Sequence, residues 1–152
     1  MRIVARGCGV WLLAVLTACS GVNTRTNSFN TLADAKQAGA IEQGLLPEGL
    51  PPGTRDIRIG YVPGQVRSWG LFNFPPEQAD ALKQILRPDE VPLDGKTVDV
   101  PGRIEWWPKA LRGTLNAEQL GITGLKAYAT RDAARIVAVN WAQGRAYYWV
   151  SD

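Results

Sequence analysis

The chain has only two cysteines, Cys8 and Cys19, and both fall within its first 19 residues. Whatever folds beyond them has no disulfide to staple it and no reactive thiol, so it is held by packing alone. Material for a core is present: Trp69, Trp106, Trp107, Trp141 and Trp149 all lie beyond Cys19, and each ring can bury a large area. Histidine is absent. That removes the Ser–His and Cys–His nucleophile pairs, the usual general base near neutral pH, and nearly all common zinc sites. Carboxylate chemistry remains open; no metal or cofactor motif is present, so none is expected.

The N-terminal residues explain where the cysteines go. Arg2 and Arg6 give a positive start, Val10-Trp11-Leu12-Leu13-Ala14-Val15-Leu16 is apolar, and small residues lead into Cys19. This is the layout of a secretory signal, and its apolar run is about half the roughly 20 residues that a transmembrane helix needs. Leu16-Thr17-Ala18-Cys19 resembles the lipobox of bacterial lipoproteins. The resemblance implies cleavage before Cys19 and acyl chains on its thiol, which anchor the protein in a membrane of the cell envelope. By the same resemblance, Ser20 in place of aspartate implies the outer membrane, facing the periplasm, in a Gram-negative host.

Residues 1–18 are therefore expected to be a lipoprotein signal peptide, 19–30 a flexible tether and 31–152 a single globular domain. The signal takes Arg2 and Arg6 with it, leaving 15 basic against 14 acidic side chains. No basic block survives, so nucleic acid is excluded as a partner. Ser20 to Asn30 is small, polar and without periodicity, which is the basis of the tether. Thr31 and Asp34 offer a capping box for a helix running to about Ala38, with Gly39 closing it. Prolines and glycines then punctuate Leu45 to Gly53 too often for regular structure, so its leucines are expected to be pinned onto the domain in extended form.

Ala38 to Pro52, followed by Asp56-Ile57-Arg58, resembles a family of small bacterial envelope lipoproteins of unknown activity. The likeness extends loosely to Phe72-Asn73-Phe74-Pro75-Pro76 and to Tyr147-Tyr148-Trp149, although Leu45 stands where that family often has tryptophan. It implies a shared fold and no particular chemistry.

Further on, Ile57, Ile59 and Tyr61 alternate with Asp56, Arg58 and Gly60 as in a strand with one buried face. Pro63-Gly64 turns the chain into a second strand, which carries Val66, Gly70, Phe72 and Phe74 on one side, Trp69 and Leu71 on the other. Ala79, Leu82, Ile85 and Leu86 make the stripe of an amphipathic helix ended by Arg87-Pro88. Asp89 to Gly102 is broken by prolines, with a short strand candidate at Thr97–Val100. Leu125–Thr130, Ala134–Trp141 and Arg145–Val150 read as strands from their β-branched and aromatic content. A two-residue Gln143-Gly144 loop would set Val139 opposite Tyr148. The fold class expected from this order is α+β: one small domain, an antiparallel sheet with one or two helices packed on one face. Ile57, Phe72, Leu82, Ile85, Ile136, Val139 and Tyr148 are expected to share its core.

Glu105-Trp106-Trp107 is the most site-like constellation. A carboxylate beside two tryptophans suits a ligand or partner surface, sugar stacking, or proton donation by a desolvated acid. On a regular strand, neighbouring rings point to opposite faces, so both cannot stack on one ligand. Asp89, Glu90, Asp94 and Asp99 lack the spacing of a calcium loop. A non-enzymatic envelope lipoprotein that binds another protein, as an assembly, inhibitor or immunity-type factor, is the function this pattern favours. A module binding peptidoglycan through Trp106 or Trp107 is the first alternative, and a cell-wall hydrolase centred on Glu105 the second.

Overall fold

The alternation of isoleucines in the Thr54–Tyr61 stretch becomes the second strand of a large antiparallel sheet. The computed structural model describes residues 23–150; the signal segment, Cys8, Cys19 and Ser20 lie outside the described residues. Within them the strands are β1 (Arg25–Thr31), β2 (Arg55–Tyr61), β3 (Ser68–Asn73), β4 (Leu86–Glu90), β5 (Thr97–Val98), β6 (Gly113–Thr114), β7 (Lys126–Thr130), β8 (Arg135–Asn140) and β9 (Arg145–Val150). The α-helices are α1 (Leu32–Gln37), α2 (Ala79–Ile85) and α3 (Ala117–Thr123). Seven strands form one sheet in the order β1-β2-β3-β9-β8-β7-β4, and β5 pairs with β6 in a second, two-stranded sheet.

The α+β expectation is corrected by this architecture. The structure is mostly antiparallel sheet, and each α-helix is only six or seven residues long. The sheet is also covered on both faces rather than one, and the helices are a minor part of that cover. On the first face lie Ile57, Ile59, Phe72, Phe74, Val137, Val139, Ala146 and Tyr148, roofed by Leu32 and Ala35 of α1, by Leu46 and Leu50, and by Leu82 of α2. On the second lie Trp69, Ile136, Ala138 and Trp149, roofed by Leu93, Val98, Ile104, Trp107, Leu111, Leu115 and Leu120. That second roof comes from an irregular stretch whose apolar residues follow neither a 2.0 nor a 3.6 period, so no layer is legible in it. Ile136 therefore leaves the expected common core and packs on the opposite face from Val139, as strand pleating requires of residues three apart.

Residues 25–30 are not tether. Arg25–Thr31 pairs antiparallel with β2, with Ser28 opposite Arg58 and Phe29 opposite Ile57. An edge strand needs few apolar side chains, and only Phe29 signals this one. Thr31 then ends the strand and caps α1: its hydroxyl accepts from the Asp34 N–H, and the Asp34 carboxylate accepts from the Thr31 N–H. Gly39 follows at φ 76°, a left-handed position that costs glycine least.

The chain crosses under the first face from Ala38 to Gly53 and is fastened there by Tyr148. That phenol donates to the Leu45 carbonyl at 2.6 Å, and burial raises its pKa above the ordinary tyrosine value. The ring is admitted because β3 has glycine opposite it. Gly70 pairs with Tyr148, and a Cβ there would sit 2.0 Å from Cε1 and Cζ of the ring. After β3 the chain runs through a 3-10 turn, Pro76–Gln78, into α2. Leu86 belongs to β4 rather than to the helix stripe, since Pro88 excludes the next helical turn. The chain then builds the second roof and returns as the meander β7-β8-β9, which closes the sheet against β3.

The last hairpin differs from its expected register. Asn140 pairs with Arg145 and Val139 with Ala146, leaving four residues, Trp141 to Gly144, in the loop. Gly144 at φ 66° is tight against the Phe74 carbonyl, 2.1 Å from an ideal Cβ, and accepts an N–H from Phe74 at 2.8 Å. The shift is by two residues, so every side chain keeps its expected face. Leu82 is fully buried under this sheet. Leu82→Ala is expected to cost ~2–5 kcal/mol, read as a fall in the denaturation midpoint; an unmoved midpoint contradicts the docking of α2.

Candidate functional site

Arg112 sets the geometry of the Glu105-Trp106-Trp107 segment. Its guanidinium donates to the carbonyls of Val100 (3.1 Å) and Pro101 (3.2 Å) and to that of Ile104, closing a loop just before Glu105. Ile104 lies over β2, where a Cβ on Gly60 would meet its Cδ1 at 2.5 Å. The chain then turns, with the Trp107 N–H donating to the Ile104 carbonyl at 3.2 Å. Residues 105–107 are turn and bend rather than strand, so the alternation argued from a regular strand does not apply.

The three residues have three different environments. Trp107 is buried among Tyr147 (ring centroids 5.7 Å), Trp149 (6.1 Å) and Trp106 (6.1 Å), all edge-on, and its indole N–H donates to the Leu111 carbonyl at 2.8 Å. Its polar handle is thus spent inside the fold. Trp106 is half-buried and its Cζ2 would lie 3.7 Å from a Cβ on Gly60. Its outer part lines a cleft of about 300 Å³ shared with Thr26, Ser28, Phe29 and Asn30 of β1 and Asp56, Ile57 and Arg58 of β2. Glu105 is exposed. The structure therefore brings Trp106 to a surface with Asp56 and Arg58, and separates it from Trp107 as a ligand contact.

Asp56 carries no sequence signature of a site residue. It adopts φ 51°, an uncommon conformation for a residue with a side chain, at a bulge between Arg55 and Arg58. Its carboxylate accepts from Asn73 Nδ2 (3.1 Å) and lies 3.8 Å from Arg55 Nε, while Asn73 Oδ1 accepts from Arg145 Nε (2.9 Å). Arg55, Arg58 and Arg145 are all exposed: Arg55 approaches the Asp56 carboxylate directly, Arg145 is linked to it through Asn73, and Arg58 lines the Trp106 cleft beside it. The only sequence pointer to this group was the Asp56-Ile57-Arg58 triplet.

A larger open cleft, about 490 Å³, lies elsewhere on the second face, between Arg67, Trp69, Lys96, Asp99 and Trp149. Arg67 is engaged there already, 2.8 Å from Asp99 and 5.3 Å above the Trp69 ring. Of the acidic stretch, Asp94 accepts the Ala117 N–H at 2.9 Å as a cap for α3, and Asp99 holds Arg67. Among the described residues no group of three or more Asp, Glu, Cys or His is placed to hold a metal ion, and no helix is long and apolar enough to cross a membrane.

Residues 23–73 match the family model described as the YbbD head domain, a bacterial envelope-type family. The matched third of the chain runs from β1 through β3 and contains every residue of the Trp106 cleft except Trp106 itself. Neither a curated protein nor a solved structure matches the chain.

The two tryptophans are expected to part company on substitution. Trp107→Ala should lower stability by ~3–5 kcal/mol, as for other buried tryptophans, and Trp106→Ala by clearly less. Equal losses in chemical denaturation would contradict the partition of the pair into one core ring and one surface ring.

Proposed function

We propose that this protein is an envelope lipoprotein, anchored through acyl chains on Cys19, whose domain binds another envelope protein without catalysing a reaction. The observation that carries the reading is the Trp106 cleft: a half-exposed indole set beside the edge strand β1 and the exposed Arg58. Aromatic rings flanked by arginine are the usual anchors of protein interfaces. The likeness of residues 23–73 to an envelope-type family supports the compartment. Two or more long acyl chains, at about 0.8 kcal/mol per buried methylene, would hold the domain stably at a membrane. In a Gram-negative host Ser20 favours the outer membrane, with the domain in the periplasm. Peptidoglycan is the second reading, favoured by the same half-exposed Trp106, which offers a single ring for stacking on a sugar. Glu105 stands exposed in solvent rather than in an apolar pocket, so the hydrolase reading draws no support from it.

One experiment on intact envelopes tests anchor and partner together. Chemical crosslinking of the wild type is expected to capture a discrete protein partner, and Trp106→Ala to lose it while remaining folded. Mass spectrometry should find acyl chains on the wild type and none on Cys19→Ala. Acylated Cys19→Ala would refute the anchor. Retention of peptidoglycan fragments in place of a protein, abolished by Trp106→Ala, would replace the first reading with the second.

A further inference from the structure

The two edges of the seven-stranded sheet are treated very differently. At one edge, β4 carries Arg87, Pro88, Asp89 and Glu90, all exposed, and its pairing with β7 is irregular between Leu86 and Glu90. Proline, charge and a bulge are the devices by which proteins stop an edge from pairing with another chain. At the other edge, β1 has neither proline nor bulge and carries charge only at its first residue, Arg25. It is seven residues long, about 23 Å of strand. Among the described residues nothing pairs with its outer side, so alternate backbone N–H and C=O groups there point away from β2.

This open edge borders the Trp106 cleft. Thr26, Ser28 and Asn30, the exposed alternate residues of β1, are themselves part of the cleft wall. A strand laid against β1 would present every second side chain to the same face, beside Trp106 and Arg58. The charge on that face is lopsided. Arg55, Arg58 and Arg145 are exposed, and against them stand the Asp56 carboxylate, already shared by Asn73 and Arg55, and Glu105 on the turn before Trp106.

Resting on the protein-binding reading above, we propose that β1 is a docking edge for an extended, acidic segment of the partner. That segment adds an eighth strand to the seven-stranded sheet and sets its alternate side chains over the Trp106 cleft. Main-chain hydrogen bonds along β1 supply affinity, and Arg58 in the cleft, with Arg55 and Arg145 behind Asp56, selects acidic sequence. A second copy of this chain is a poorer occupant, because self-pairing of β1 adds like charge to like charge on one face.

The test uses the ¹⁵N-labelled full chain in neutral detergent, titrated with a blocked heptapeptide alternating glutamate and valine and followed by NMR. The peptide should shift the amides of Arg25–Thr31 and the Trp106 indole. Methylating alternate peptide amides, which removes strand hydrogen bonds and keeps every charge, should abolish the shifts. Exchanging glutamate for lysine should do the same, and Arg58→Glu should weaken binding by about tenfold or more. Equal binding of the methylated peptide, or no shift with the acidic one, overturns strand addition. Shifts produced by muramyl dipeptide alone, or a dimer of the chain in sedimentation that occupies β1, also overturn it. Should envelope crosslinking find a partner while β1 stays unshifted, the protein-binding reading stands and the docking edge falls.

Discussion

The ring of Tyr148 lies where a side chain on residue 70 would otherwise be, and much of the first face is arranged around that exchange. β3 and β9 come from distant parts of the chain, and their pairing is the seam that joins the β1–β3 meander to the returning β7–β9 meander. Gly70 sits opposite Tyr148 on this seam and lets the phenol lie flat across the strand. From there the hydroxyl reaches the Leu45 carbonyl, 103 residues away in sequence. One side chain thus fixes the register of two half-sheets and fastens the proline- and glycine-punctuated segment that has no regular hydrogen bonding of its own. The phenol is fully buried, so that carbonyl is the partner that offsets its desolvation.

Local signals were legible in the sequence wherever the physics is local. Thr31 and Asp34 specify a capping box, Gly39 closes the helix, and Ile57 and Ile59 point to one face because strand pleating fixes their parity. What stayed hidden is non-local. β1 is polar because an edge strand has a neighbour on one side only, so its residues read as tether. The second roof depends on Leu93, Ile104, Leu111 and Leu120 converging through turns, and no period announces that. Once both faces of the sheet are buried, Ile136 and Val139 belong to different cores, although their composition suggests one.

The candidate site was half legible for the same reason. Composition nominates Glu105, Trp106 and Trp107 as a unit, yet the turn after Ile104 sends Trp107 inward, leaves Trp106 at a rim and puts Glu105 in solvent. The groups that complete the surface, Asp56, Arg58, Asn73 and Arg145, come from three strands and meet only through sheet pairing. Asp56 in a left-handed conformation at a bulge is the kind of local irregularity that re-aims a side chain. Here it turns a carboxylate toward Asn73 and Arg55, while Arg58 lines the cleft with the tryptophan.

Gly70 and Tyr148 act as one unit, and a double-mutant cycle measures their coupling. Unfolding free energies would be measured for the wild type, Gly70→Ala, Tyr148→Ala and the double variant. Overpacking against the ring should make Gly70→Ala cost ~1–3 kcal/mol or more in the wild-type background. With the ring already removed, the same change should cost little, giving a large coupling energy between the two sites. Additive costs would contradict the account, because they would mean that Tyr148 stands over Gly70 without depending on it.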